Sequence, residues 1–584
     1  MKSIKIIALL LSVITMFQAC KDDTAQPVPV PSVTTTGTLT GVPGTTVQLK
    51  ASINAPGGIK TITVLKNGAA FDSQTGTGQT TQEYSKDYVI ENLAANSVVN
   101  FTIQVTDNGG QVSALTTIPV TVTAIPAKAV VVVKGILEGN ISWTADKIYK
   151  LEGFVRVGEE AVFGTVTKTG TLTIAPGTLI IGDRATKGTL VIQRGSKIIA
   201  EGTAARPIIF TSERNPGERE PGDWGGLVIC GRAVNNRPND GGNGNRQLEG
   251  AYGGFHGGTD DADNSGSLKY VRVEFAGIPV QPNAEVNSFT FGSVGSSTTL
   301  EYLQASNGLD DSFEWFGGTV NAKYLIAYKG LDDDFDVDFG YRGFVQYGVG
   351  IRGATQADIS GSNGFEVDND GQGSSNTPFT SGTFANMSII GPKADANTAI
   401  SSQFQNGMHL RRNNKIKIYN TIVTGYPSGI NIDGILGDAD INAAKGELVL
   451  QNVVLAGIDK WGSNGFGLSS SSVKGFNYPV AEFDQNVAAA AVLIDAKNPT
   501  TWFSALPGNK VLPTLATTGL SPSVFLTGRP IFTLGAGSTL TGVALPTTLP
   551  AFFTKTTFVG AFNDTDWTAG WAEFNPQAAV YGKQ

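Results

Sequence analysis

The chain is short of the residues from which many catalytic and metal centres are assembled. Its 584 residues include two cysteines, two histidines and four methionines. His256 and His409 are too few for a multi-histidine zinc site. Charged residues make up 16% and the formal net charge is −8, so the basic face of a general nucleic-acid binder is missing. No G-x-S-x-G elbow and no Walker loop occurs. Beyond the first twenty residues, no apolar run is long enough to span a bilayer. Helical periodicity is nearly absent, and "NVAAAAVLIDAKN" at 486–498 is the one stretch that predicts a helix. What abounds is glycine, 73 residues of it, among Thr-, Val- and Ile-rich runs that point to an all-β protein.

The first twenty residues, "MKSIKIIALLLSVITMFQAC", form a targeting segment with a basic start and an apolar middle. Cys20 follows a small residue in an arrangement that resembles a bacterial lipobox, although Phe17 and Gln18 depart from the usual pattern. That resemblance implies a signal peptide over 1–19 and lipidation at Cys20. The following Lys21, Asp22 and Asp23 resemble the export signal of Bacteroidota surface lipoproteins. The implied location is the outer membrane, with the chain facing the exterior and held by its lipid alone. Cys230 lies in the apolar phrase "GLVICG" and is expected to be a buried, inert thiol, so no disulfide is expected.

A Pro-rich tether occupies the rest of 20–36. Residues 37–124 then read as a small β-sandwich, with alternating runs such as "TVQLKASI" and a "DNGG" hairpin signal. This stretch resembles an immunoglobulin-like spacer module. From about Val130 the text repeats. "GTLTIAPGTLIIG" is followed by "GTLVIQRGSKIIAEG", and tyrosines recur at 270, 302, 324 and 347. A second series, "SFTFGS", "SFEWFGG", "DFDVDFG", "GFEVDND", "MHLRRN" and "GINIDG", is interleaved with the first. Short strands in two alternating series predict a solenoid of stacked β-coils over 130–584. An aromatic ending, "FFTKTTFVGAFNDTDWTAGWAEFNPQ", is expected to cap its last open edge.

Phrases including "GDWGGLVICGRA", "FEWFGGTVNAKYL" and "DWTAGW" resemble surface β-helix proteins of Bacteroidota, a group of largely hypothetical function. The resemblance implies a right-handed parallel β-helix and no particular activity.

The candidate site follows from strand alternation, because neighbouring side chains face opposite ways. With Phe313, Trp315, Phe335, Val337 and Phe339 inside, Glu314, Asp336 and Asp338 face out. The same rule turns out Glu366 and Asp368, His409 and Arg411, and Asn431 and Asp433. Coils stack about 4.8 Å apart, so these residues are expected to form an exposed, ligand-binding ladder. Asp310, Asp311, Asp332, Asp333 and Asp334 precede their strands and occupy turns. They either satisfy turn backbone while solvated or share a Ca²⁺, which takes six to eight oxygens. Residues 241–266 form a Gly/Asn/Asp loop that either overhangs the ladder or runs as a surface loop.

Three functions fit these features. The first is a surface protein that binds a glycan or another polymer, serving a neighbouring transporter of the TonB-dependent kind. The second is an architectural or adhesive stalk. The third is a calcium-dependent polysaccharide lyase using Arg411 and Arg412. Lyase chemistry needs a base of lowered pKa, and arginine beside acidic rungs is expected to stay charged. Binding therefore ranks first, and no catalytic residue is assigned on that reading.

Overall fold

The computed structural model describes residues 27–124, 127–237, 247–248, 254–282, 284–395, 397–434, 436–458, 503–525 and 528–581. The targeting segment, Cys20, Lys21, Asp22, Asp23 and the helix expected at 486–498 lie outside the described residues. The chain divides into two compact units between Ala127 and Lys128. No described helix is long and apolar enough to cross a membrane.

The N-terminal unit is a small β-sandwich. Ser32–Thr35, Thr46–Asn54 and Thr81–Val89 form a three-stranded antiparallel sheet. Ile59–Lys66, Ala69–Thr75, Val98–Asp107 and Thr116–Val122 pair antiparallel in a five-stranded sheet, which Leu39–Gly41 joins in parallel. Alternation sorts the residues. In Thr46–Asn54, Leu49, Ala51 and Ile53 are buried between exposed polar neighbours. They join Ile62, Val64, Phe101 and Ile103 of the other sheet in one core.

The second unit is a parallel β-helix. Its described strands form one continuous 25-stranded sheet that winds around a common core. One face stacks Thr189–Ile192, Leu227–Cys230, Phe289–Val294, Phe313–Gly318, Phe335–Asp338, Phe365–Val367, Asn406–Arg411 and Ser428–Asp433, each paired in parallel with the next. The aromatic residues expected inside are there: Phe313, Trp315, Phe335 and Val337 are all fully buried. Phe289, Phe313 and Phe335 stack ring on ring, with centroids 5.1 and 5.8 Å apart. Phe339 departs from the expected inward row. It packs on the outer surface against Phe316, because its φ of 50° breaks the strand alternation there.

The recurring tyrosines are corner residues. Tyr270, Tyr302, Tyr324 and Tyr347 all adopt positive φ, between 50° and 65°, where the chain turns from one face to the next. Asn386, Asn420 and Asn452 hold the corner in later coils with φ of 55°, 44° and 57°. Asparagine tolerates this left-handed region better than most residues. Stacking of the tyrosine rings, with centroids 4.3 to 4.9 Å apart, offsets part of the cost in the earlier coils.

The aromatic ending does not cap the last coil. Residues 528–581, which include it, form a strap that runs back along the side of the solenoid, where polar side chains bind the strap's backbone. Asn420 donates to Val543 O at 3.0 Å, and Gln346 both donates to and accepts from Thr554 at 2.9 and 2.8 Å. Gln304 does the same with Glu573, and Arg219 donates to Ala579 O at 3.0 Å. Beneath this strap the strands are apolar on their outer side too. Ile326, Val349, Ile390 and Ile422 share a core with Phe532, Phe562 and Trp571. A surface that is apolar over many coils needs a cover along its length, and a cap on the last edge alone would leave it in water.

Candidate functional site

The strand face described above carries two outward columns. The first reads Val191, Val228, Thr290, Glu314, Asp336, Glu366, His409 and Asn431, in register from coil to coil. In the second, Cys230, Gly292, Phe316 and Asp338 are in register, and Arg411 pairs with Asp433 in later coils. Asp368 lies between these two sets, immediately after Phe365–Val367. Both columns start apolar or small and become charged at Glu314 and Asp338. The ladder expected from alternation is therefore assembled on one face.

Its exposure differs from expectation. Glu314, Asp368, His409 and Asn431 are buried, and Asp336, Asp338, Glu366, Arg411 and Asp433 are half-buried. Two causes are visible. Neighbouring rungs cover one another through ion pairs, and loops rise beside the ladder. Arg411 donates to Glu366 and, from Nε at 2.9 Å, to Asp368, while Arg412 donates to the same Asp368 carboxylate at 2.5 Å. His409 lies 3.8 Å from Glu366 and 3.4 Å from Asp433. Residues Gly353 to Gly361 form one flank, where Ser360 donates to Asp332 at 3.1 Å.

The late rungs thus neutralise themselves. Asp332, Asp336 and Asp338 make no ion pair among the described residues. Burial raises the proton affinity of Asp336, and Asp338 and Asp333 add to it. Burial likewise raises Asp338, with Asp368 beside it, and Asp332, with Asp333 and Asp310 beside it. Asp311 is raised by burial and then by Asp310, Asp336 and Asp332. Like charges gathered in a poorly hydrated cleft disfavour their ionised forms, and such clusters concentrate at functional sites.

The turn acids divide into three roles. Asp311 Oδ1 accepts from the backbone N–H of Asp333 at 2.8 Å, and Asp333 Oδ1 in turn accepts from Asn363 N–H. Asn363 Oδ1 continues the series by accepting from Asn406 N–H at 3.1 Å. These side chains tie each coil to the next, the scaffold role that turn Asp and Asn residues commonly play. Asp334 is corrected from a turn ligand to an interior residue. It is fully buried, 3.3 Å from the equally buried Arg352, and burial pushes its carboxyl up to about 7 against the pull of that arginine. Oxygens of Asp310, Asp311 and Asp332 lie within 4.8 Å of one another, as do those of Asp311, Glu314 and Asp336. An all-oxygen, multiply anionic donor set suits a hard cation such as Ca²⁺.

Residues that alternation alone did not single out complete the site. Asn287 donates to Glu314, and its buried Oδ1 accepts nothing, as do the buried hydroxyl of Thr290 and Oδ1 of Asp336. Thr290 could have been found from "SFTFGS", where it holds the place of Glu314 and Asp336 in the repeat. Asn287 stands in a connection whose approach to the ladder no local pattern encodes. Cys230 is buried as expected, and burial pushes its thiol up to about 12, so it is inert.

Among known proteins, the family model of the pectate-lyase-like β-helix domain matches residues 135–491. No curated protein matches the chain. A solved structure, the family 28 exopolygalacturonase of Yersinia enterocolitica, shares 10% identity with it, covering 74% of this chain and 92% of that one. Its TM-score of 0.15 makes it too slight a likeness to carry an argument. The family match spans more than half of the sequence and coincides with the stacked coils and their polar face. The chain belongs to the family of pectate-lyase-like β-helix domains.

Proposed function

We propose that this protein binds an extracellular polysaccharide along the polar ladder of its β-helix. The observation that carries the reading is the switch of both outward columns, in register, to crowded and partly unpartnered polar groups. Asp336, Asp338 and Glu366 stand beside Arg411 and His409 on a rigid sheet, so donors and acceptors are held in place before a ligand arrives. A cleft that keeps unneutralised carboxylates together forgoes stability for some other gain, and ligand or cation capture supplies one. A family named for pectate lyase-like domains agrees with a polysaccharide partner. Ca²⁺ held by Asp311, Glu314 and Asp336, with Asp310 and Asp332 adjoining, would offset their repulsion and bridge to acidic sugars.

In the same reading Cys20 carries a lipid, the N-terminal sandwich is an immunoglobulin-like spacer, and the protein stands on the outer face of the outer membrane. It would present the polymer to a transporter of the TonB-dependent kind. A polysaccharide lyase is the second reading, and one observation favours it. Burial, followed by the neighbouring Arg412, lowers the pKa of Arg411, which is the direction a base requires. Its hydrogen bonds to Glu366 and Asp368 nevertheless occupy the guanidinium a base would use, so binding stays ahead.

A glycan array probed with lipid-free protein, with and without chelator, tests the proposal. Binding to an acidic polysaccharide that chelator weakens is expected, and a blank array would refute it. Ultraviolet absorbance of unsaturated products from polygalacturonate, lost in Arg411→Ala, would promote the lyase.

A further inference from the structure

The ladder is closed at one end. Val191, Val228 and Cys230 stand on the same outward columns as the acidic rungs, yet each is fully buried. Leu248, Val280 and Val286 lie on them, joined by Phe316 and Phe339 in one apolar cluster. Gly292 shows how tightly this cover is seated. A Cβ there would meet His256 Cβ at 2.8 Å and a Leu248 methyl at 3.1 Å, so only glycine leaves room for the cover. The contact is also bonded: His256 Nδ1 lies 2.9 Å from Ser293 Oγ, and Arg342 binds Asp261 through two hydrogen bonds of 3.0 Å. The cover reaches the first acidic rung. Asn287, one residue beyond Val286, donates to Glu314, and Thr290 one coil earlier is already 1% exposed.

We infer that the groove is a one-ended site that takes the terminus of a saccharide chain rather than its interior. This rests on the reading of the ladder as a polysaccharide site. A polymer lying along the stack meets Glu314, Asp336, Glu366 and His409 in turn, and beyond Glu314 it meets a wall of packed apolar side chains. An internal segment would have to continue through Val286 and Leu248. A chain end stops at this wall, where the half-buried Asp336 and Glu366 are the first rungs to offer polar atoms to its last rings. Affinity then follows the number of chain ends and not the mass of polymer.

The test is calorimetric titration of the lipid-free protein, in Ca²⁺, with polygalacturonate and with the same material partially hydrolysed and sized. A preparation cut to about one-tenth of the chain length carries about ten times the ends per gram, so half-saturation is expected at about one-tenth of the mass. Half-saturation at unchanged or greater mass after shortening, with binding retained, would overturn the one-ended site and leave the polysaccharide reading standing. No heat from either preparation, with a blank glycan array, would overturn both.

Discussion

At the scale of single residues, Phe335 and Asp336 show what alternation can and cannot reveal. Their opposite directions were legible because period-two spacing fixes the face on which a side chain stands. Phe335→Ala should cost about 3–5 kcal/mol in chemical denaturation, since Phe313 and Phe365 stack on either side of it. Exposure was not legible. An outward Asp336 in open water would be replaceable at little cost, whereas the half-buried one is crowded by Asp338 and Asp333. Asp336→Asn should therefore raise the melting temperature of cation-free protein while leaving its coil geometry intact. A fall in melting temperature would show that its charge is compensated. Asp334 marks another limit. It belongs to the same acidic phrase as Asp333, but only the fold reveals Arg352 beside it.

At the scale of elements, the repeating strands announced themselves, and their covers did not. The strand phrases recur because each coil must present the same inward rows to its neighbours. The strap and the wall over Val228 lack a repeat, and long-range amide contacts position the strap. Gln346 illustrates the coupling, since one side chain satisfies both the N–H and the C=O of Thr554. Gln346→Ala removes the two hydrogen bonds to Thr554 and a third to Asn386 Oδ1, leaving strap groups unpaired at a cost of about 1–3 kcal/mol. Limited proteolysis of the strap should accelerate in that variant. Equal protection would mean that the apolar contacts of Phe562 and Trp571 suffice. The short helix Ala439–Ala444 also escaped the sequence reading, as six residues are too few for a periodic signal.

At the scale of the whole molecule, the acidic cleft should be visible in stability against pH. Asp311, Asp332, Asp336 and Asp338 all hold protons more tightly folded than unfolded. Folding therefore takes up protons, and this contribution is fully present below the unfolded value of about 4 and lost as pH rises through the folded values. Asp183 and Asp261 are shifted downward and contribute in the opposite sense, but only at lower pH. Cation-free protein should thus melt at a higher temperature at mildly acidic than at mildly alkaline pH, and saturating Ca²⁺ should flatten the difference. At a hundredfold excess over its dissociation constant the ion adds about 2.7 kcal/mol. Cys20→Ala should release the protein from the membrane fraction, and retention there would remove the lipid anchor from the account.

If the acidic rungs hold the ligand, polysaccharide binding should fail in the variant Glu314→Gln/Asp336→Asn. These isosteric changes remove charge without removing volume, so the variant should fold and melt no lower than the parent in chelator. Calorimetric titration with polygalacturonate in Ca²⁺ should give binding for the parent and at least a tenfold loss, about 1.4 kcal/mol, for the variant. A variant that binds as tightly as its parent, with the same dependence on Ca²⁺, would contradict the assignment.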